Sequence, residues 1–243
     1  LSSGSRITAE SDPAGLAIVS RMTASANSLG VNFRNTMDGV SMVQVAEGGA
    51  AGTGDNLLRM RELAMQASNG TLSDQDREFI QTEYSQLSAE IDRTAESTSF
   101  NGQKVLDGTL NTDLQVGQNA GDTINVQVGA MDSTSLGVDT GSVDLSTQAG
   151  AQAALEKIDA AIDQVSESRS EMGATLSRLD STSRNIQTEQ VNTVSARSRI
   201  SDTDVAEATA ENSRNQIQQQ FAIALMAQAN TAHASTLKLI TGK

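Results

Sequence analysis

Four closely spaced glycines are the first residues whose type and spacing could do chemistry: Gly48, Gly49, Gly52 and Gly54. A glycine-rich loop cradles phosphates when a strand precedes it and Gly-Lys-Ser or Gly-Lys-Thr follows. Neither feature is present, so a phosphate site is not indicated. Each glycine costs a helix interior about 1 kcal/mol relative to alanine. We therefore expect a kink or break in a helix at 48–54.

The remaining reactive side chains form no catalytic constellation. His233 is the single histidine and there is no cysteine, so a histidine-pair metal site and every thiolate site are excluded. Aspartates are scattered through the middle of the chain, and their spacing does not match a calcium-binding loop. We predict that the protein is not an enzyme, with no cofactor and no metal.

Composition narrows the classes of partner. The chain has 243 residues and a formal net charge of −13, which argues against nucleic acid and against an anionic membrane surface. The longest strongly apolar run, Phe221–Ala227, is too short to span a bilayer, so no membrane insertion is expected. Aromatic residues make up 2% of the chain, too few for a wide core, which favours long, thin helices.

The N-terminal third has the pattern of a helical hairpin. Asp12 and Pro13 are typical of an N-cap and first helical position, and an apolar stripe with steps of three and four follows. Asn69-Gly70 is typical of a helix end. Ser73, with Asp76 three residues later, predicts the start of a second helix. The short connection favours an antiparallel pair.

The middle of the chain changes to strand and turn signals. Leu114–Val116 and Ile124–Val128 alternate apolar and polar residues, which predicts a β-hairpin, and 133–147 is interpreted as surface turns. Helix returns near Gln148, with a heptad pattern interrupted only by Arg169 and Ser183.

A joint is expected at Ile200–Asp202, before a last helix from about 203 to 239. Its segment Phe221–Ala227 is apolar on every face and so requires burial on all sides. We expect neighbouring subunits and residues preceding Leu1 to bury it. The predicted polymerisation contacts are Ile217, Phe221, Leu225, Met226, Leu237 and Ile240.

These elements predict a mainly α fold: an elongated antiparallel helical bundle, or coiled-coil rod, with a small β-hairpin region at mid-chain. Residues 1–104 are the N-terminal helical part of the rod domain and 105–147 its β-turn or hairpin tip. Residues 148–200 are its C-terminal helix, and 201–243 form a terminal coiled-coil helix.

Several motifs, in order along the chain, resemble bacterial flagellins. They are Leu1–Ile7 followed by Asp12–Ile18; Leu58–Gly70; Phe100–Leu106; Ala196–Glu207; and Met226–Asn230. The resemblance implies a hollow helical filament for motility, with the terminal helix lining its inner tube. It also implies a helix before Leu1 that pairs with the last helix. Because the chain starts at Leu1 rather than Met, we expect residues to precede it.

The resemblance further implies partners and a location. The partners would be further copies of the chain in a homo-polymer, the flagellar type III export apparatus and an export chaperone, the filament cap and the hook-associated proteins. The location would be the extracellular flagellar filament, reached by secretion.

A patch near the end of the first helix resembles a contact surface between stacked subunits, which the flagellin-sensing Toll-like receptor of animal hosts also binds in similar flagellins. Its residues here are Arg59, Arg61, Glu62, Leu63, Gln66 and Glu83. Arginine supplies a planar donor fork and leucine an apolar anchor, both typical of interfaces. A solvated helix face with local ion pairs is the alternative interpretation.

Two other functions stay open at this point. A hook–filament junction protein would share both chain ends with a filament subunit. A flagellin-like cell-surface binding protein would use grooves of the same frame to bind polysaccharide.

Overall fold

The computed structural model describes residues 6, 7 and 12–241, with side chains described as far as Asn230. The helices are α1 (Pro13–Ala67), α2 (Asp74–Ser97), α3 (Gln148–Ser201) and α4 (Val205–Thr241). The strands are β1 (Ser99–Phe100), β2 (Gln103–Lys104), β3 (Asn111–Gln115) and β4 (Thr123–Gln127). The fold is therefore mainly α with small antiparallel hairpins, as the sequence predicts.

Helix α1 starts where the sequence indicates but does not break where we expected. The Asp12 carboxylate accepts a hydrogen bond from the Gly15 backbone N–H at 2.8 Å, which is an N-cap. The helix then continues through Gly48–Gly54, so the expected break at 48–54 is wrong. Burial of the apolar face around the glycines, including Ala46, Ala50 and Leu57, holds the helix together despite their low propensity.

Helices α1 and α2 form the expected antiparallel pair. Ser73 and Asp76 make a full capping box: the Ser73 hydroxyl accepts from the Asp76 N–H at 3.2 Å, and the Asp76 carboxylate accepts from the Ser73 N–H at 3.1 Å. The buried Arg77 guanidinium, 5% exposed, donates to the backbone carbonyls of Ala67 and Asn69. One side chain of α2 thus satisfies carbonyl groups at the C-terminal end of α1.

Helix α3 runs antiparallel to α1. Arg61 pairs with Asp159, and Glu47 pairs with Arg169 at 2.7 Å, so residue numbers rise on one helix as they fall on the other. These contacts explain the interruption of the heptad pattern at Arg169, which forms an ion pair at the edge of the core. The other interruption, Ser183, is 7% exposed, and its hydroxyl lies 3.9 Å from the Met37 sulfur.

Strands β3 and β4 pair antiparallel, from Asn111 opposite Gln127 to Gln115 opposite Thr123. The hairpin lies along the helices: a Cβ on Gly39 of α1 would collide with Cδ1 of Leu114 and would be 3.6 Å from Cδ1 of Leu179 on α3. The predicted β-hairpin is confirmed, but it lies alongside α1 and α3, so it does not form a tip beyond them.

A second hairpin, β1–β2, was missed by the sequence analysis. Asn101 and Gly102 form its turn with φ values of +50° and +81°, and Ser99 pairs with Lys104. Asn-Gly is the preferred pair for such a left-handed two-residue turn. The signal was therefore present in the sequence, but the flanking strands are only two residues long.

The segment 133–147, which we expected to be surface turns, contributes to the core. Val138 and Leu145 are 0% exposed, and the buried Tyr84 hydroxyl on α2 donates to the Val138 carbonyl at 2.8 Å. The Leu145 N–H donates to the Gln81 side chain. The segment is polar overall because its aspartates build turns, while its few apolar residues are buried.

The described chain forms two compact units: residues 6, 7 and 12–24 with 192–241, and Ser25–Val191. In the first unit, the Arg6 backbone N–H donates to the Ser201 carbonyl at 2.7 Å. The α3–α4 junction was expected at Ile200–Asp202, and α3 indeed ends at Ser201. The Asp204 carboxylate then accepts hydrogen bonds from the N–H groups of Ala206 and Glu207, which caps α4.

A search of the described residues for membrane-spanning helices finds none with the length and hydropathy that a span requires.

Candidate subunit interface

Arg59 is the centre of the predicted surface patch. Its Nη2 lies 2.7 Å and its Nε 3.0 Å from Glu83 Oε1 on α2, while its Nη1 lies 2.9 Å from Glu62 Oε2. The side chains of Arg59 and Glu83 are about half exposed, at 50% and 46%. The hydrogen bonds that Arg59 donates to Glu83 and, to a smaller extent, to Glu62 raise the pKa of Arg59 above its ordinary value. The guanidinium of Arg59 therefore lies at the surface, but its N–H groups already donate to Glu62 and Glu83 of the same subunit.

The other predicted patch residues do not all lie with Arg59. Arg61 faces α3, where its Nε lies 2.6 Å from Asp159 Oδ1, and this hydrogen bond lowers the pKa of Asp159. Leu63 is 2% exposed and belongs to the core, so it cannot serve as the surface anchor that we expected. Gln66 is exposed. The structure thus joins Arg59, Glu62 and Glu83 and separates them from Arg61.

Phe79 on α2 is an exposed aromatic residue that the sequence analysis did not select. It is 68% exposed and lies one helical turn before Glu83, on the same face of α2. A signal was available, because Phe79 falls outside the apolar stripe of α2 and stands between Glu78 and Ile80. An exposed phenylalanine in a chain with four phenylalanines is a candidate contact residue.

An apolar groove lies between α1 and α3 and was also missed. Its volume is about 100 Å³, and its floor and rim are Ala51, Gly54, Asp55, Leu58, Ile162, Val165, Ser166 and Arg169. Leu58 is 52% exposed at its edge. The groove exists because small residues on α1 face α3 here; a Cβ on Gly54 would be 3.9 Å from Val165 Cγ1. The ion pairs Glu47–Arg169 and Arg61–Asp159 lie at its two ends.

Helix α4 presents the predicted polymerisation residues to solvent. Ile217, Phe221, Leu225 and Met226 are 59–68% exposed, and Ile223 on another face is 63% exposed. Leu237 and Ile240 lie outside the residues whose side chains are described. An apolar segment exposed on every face fits a contact that is completed by another chain.

The scattered aspartates of the middle segment have local structural partners. Asp139 accepts a hydrogen bond from the Gly141 N–H at 2.9 Å, Asp144 from the Ser146 N–H at 2.8 Å, and Asp132 from the Ser135 N–H at 3.0 Å. These bonds build the turns. No group of three or more histidine and acidic side chains that could hold a metal occurs in the described part of the chain.

Comparison with known proteins decides the family. Residues 1–111 match the bacterial flagellin N-terminal helical region, and residues 155–240 match the bacterial flagellin C-terminal helical region. The chain belongs to the bacterial flagellin family. Flagellins are structural proteins, so the chain is a subunit of a flagellar filament and is not an enzyme.

Individual relatives agree with this assignment. The chain is 40% identical over 242 residues to a flagellin of Halalkalibacterium halodurans, a match that covers 99% of this chain and 89% of the relative. A crystal structure of Bacillus cereus flagellin has a TM-score of 0.57 and 35% identity, and the match covers 68% of this chain and 94% of that chain. A putative flagellar hook-associated protein of Vibrio parahaemolyticus has a TM-score of 0.66, with 79% of this chain and 100% of that chain covered. At 16% identity, that likeness shows the fold alone.

The geometry gives physical roles to the flagellin motifs. Phe100-Asn101-Gly102 forms the left-handed turn of β1–β2. In the motif Ala196–Glu207, Asp202 accepts hydrogen bonds from the hydroxyls of Ser198 and Ser201, and Asp204 caps α4. The motif residues therefore shape turns and helix ends.

Proposed function

We propose that the exposed apolar residues of α4 make the contacts through which this flagellin polymerises. The observation that carries the proposal is the exposure of Phe221, Leu225 and Met226, together with Ile223 on a different face. Burying apolar surface releases about 25 cal/mol per Å², so a fully exposed apolar helix gains stability when neighbouring subunits surround it. The gain must exceed the repulsion between subunits that each carry a net charge of −13.

The experiment is seeded filament growth followed by electron microscopy. We expect Phe221→Ser to reduce elongation from sheared filament seeds at least tenfold, because one exposed phenylalanine is worth roughly 1.5–3 kcal/mol when buried. Gln220→Ser, which changes the adjacent exposed position without removing an apolar side chain, serves as the matched control. Normal elongation by the Phe221→Ser chain would contradict the proposal.

Seeded growth, together with a binding assay on immobilised surface polysaccharide, separates the alternative functions. A filament subunit extends seeds into long tubes, whereas a hook–filament junction protein caps them. A flagellin-like surface binding protein stays unassembled and is retained on the polysaccharide. We expect this chain to extend the seeds into long tubes and not to be retained on the polysaccharide.

We further propose export through the flagellar type III apparatus with an export chaperone, growth under the filament cap, attachment through hook-associated proteins and a final extracellular location. Family membership supports these steps. We expect cells that lack the type III export gate to retain the chain inside, as measured by immunoblot of culture medium and cell pellet. Unchanged amounts in the medium would contradict this route.

A second proposed interaction is with the flagellin-sensing Toll-like receptor of animal hosts, through Arg59 and Glu83. The half-exposed Arg59 fork on α1, held by Glu83 on α2, supports it. We expect Arg59→Ala to weaken monomer signalling in receptor reporter cells. Arg93→Ala is the control, since Arg93 is an exposed arginine on α2 paired only with its own helix neighbour Glu90. Equal signalling by the two variants would exclude a role for Arg59.

A further inference from the structure

Phe79 cannot be buried by the α1–α3 groove of its own subunit. Arg59 pairs with Glu83, which places the face of α2 that carries Phe79 beside one flank of α1. Glu47 and Arg61 pair with α3, which places the groove along the other flank of α1. The exposed aromatic ring and the open apolar groove therefore lie on different sides of the same compact unit.

The two features match in polarity. The groove measures about 100 Å³, less than the closed cavity of about 150 Å³ that holds benzene, so it covers one edge of a phenyl ring and leaves the other edge outside. Ala51, Gly54 and Val165 offer the ring apolar contacts without a bulky side chain in its way.

The charged groups around the groove are already paired. Arg169 and Arg61, which are 45% and 42% exposed, pair with Glu47 and Asp159, and Asp55 stands in the lining of the groove. Exposed Glu78 stands next to Phe79 in the sequence, so charge does not draw this face towards the groove. The apolar surface of the ring and of the groove therefore carries the contact, and the polymer supplies a second copy of the chain as the partner.

We propose that Phe79 of one subunit inserts into the α1–α3 groove of a second copy of the chain. The proposal rests on polymerisation and adds a contact distinct from those of α4. A knob and a hole on different faces make a head-to-tail contact, and such contacts generate open helical assemblies instead of closed dimers. The geometry of Ser25–Val191 thus suits a filament.

Disulfide trapping tests the contact directly, because the chain has no cysteine of its own. Filaments are grown from an equal mixture of Phe79→Cys and Leu58→Cys subunits and oxidised, and dimers are counted on a non-reducing gel. We expect dimers in the mixed filaments and at least tenfold fewer in filaments of either variant alone. A mixture of Phe79→Cys with Glu171→Cys, an exposed α3 position outside the groove, is the matched control. Equal yields from the control and test mixtures would overturn the proposal.

The energetic test uses assembly at equilibrium. Phe79→Ala should raise the critical concentration for polymerisation about tenfold or more, because a buried phenyl side chain is lost from each contact. Val191→Ala removes another exposed apolar side chain, 65% exposed, and should leave the critical concentration unchanged. An unchanged value for Phe79→Ala would overturn the proposal. Failure of the unaltered chain to elongate seeds would instead overturn the proposed polymerisation itself.

Discussion

Arg77 is the side chain that ties the end of α1 to the start of α2. Its guanidinium is 5% exposed and donates to Ala67 O at 2.9 Å, to Asn69 O at 3.0 Å and to Asp74 Oδ1 at 3.1 Å. A buried arginine is costly unless its donors are satisfied, and here carbonyls at a helix end receive them. The residue therefore stabilises the turn that orients the two helices.

We expect Arg77→Ala to lower the free energy of unfolding by about 2–3 kcal/mol, since it leaves buried carbonyl groups unsatisfied. The measurement is chemical denaturation of the monomer followed by circular dichroism. Arg93→Ala, which removes an exposed arginine with an i, i+3 partner, should change the same quantity by less than about 0.5 kcal/mol. Similar losses for the two variants would show that the buried contacts are not the source of the stability.

Acid should destabilise the fold, as the shifts of several carboxyl groups indicate. Hydrogen bonds from Ser142, Arg61 and Ser73 lower the pKa values of Asp139, Asp159 and Asp76, respectively, below the ordinary value near 4. A lowered pKa in the folded state contributes stability that is present above pH 4 and is lost as the pH falls through the folded-state value. We expect the melting temperature to stay level from pH 7 to 5 and to fall below pH 4.

Asp139→Asn checks this assignment, because an amide keeps an acceptor for the turn but does not titrate. The variant should show a smaller decrease in melting temperature between pH 4 and pH 2.5 than the unaltered chain. An identical decrease would show that Asp139 contributes nothing to the acid response.

At the level of secondary-structure elements, long periodic patterns were the most predictable part of the sequence. The start of α1 at Asp12–Pro13, the capping box of α2 and the start of α3 at Gln148 follow from local residue preferences. The break expected at 48–54 was wrong because tertiary packing outweighs the helix propensity of a few glycines. The buried role of 133–147 depends on long-range contacts, such as Tyr84 with Val138, which no local pattern reveals.

The glycines of α1 differ in their surroundings, and this predicts how alanine at each position changes the stability of the monomer. Gly48 and Gly52 have open space where a Cβ would stand, so Gly48→Ala and Gly52→Ala should each stabilise the monomer by up to about 1 kcal/mol. At Gly49, a Cβ would lie 2.6 Å from Leu106 Cδ1 and 2.9 Å from the Thr98 hydroxyl oxygen. Gly49→Ala should therefore destabilise by about 1–3 kcal/mol through overpacking.

Thermal unfolding of the three variants measures this difference in one series. Equal shifts at positions 48, 49 and 52 would contradict the interpretation that only Gly49 is required for close packing.

For the whole molecule, the unequal burial of the chain is the main feature. Every residue from 211 to 230 on α4 is exposed, whereas α1 buries Val43, Leu57, Met60 and Ala64 completely. Helices without tertiary packing open with little free energy. The sequence indicated this difference through the all-round apolar segment of α4, but it did not indicate Phe79 or the α1–α3 groove, since those depend on which flanks of α1 the other helices occupy.

We expect the backbone amides of 211–230 to exchange hydrogen at least a hundredfold faster than those of 43–64 in the free subunit. In filaments the amides of 211–230 should become protected. Hydrogen exchange with mass spectrometry on both states is the measurement. Strong protection of α4 in the monomer, or none in the filament, would contradict a role for α4 in polymerisation.

The antiparallel pairing of α1 with α3 also sets an order of events during folding. Arg61 and Asp159 are 98 residues apart in the chain, Glu47 and Arg169 are 122 apart, and Met37 and Ser183 are 146 apart. The entropy lost on closing each loop grows with its length, so contacts nearest the α1–α2 turn form at the lowest cost. Pairing of α1 with α3 then starts at Arg61 and Asp159 and proceeds away from that turn. The nascent α1 therefore has no α3 partner until the chain has been synthesised past Asp159, in the first part of α3.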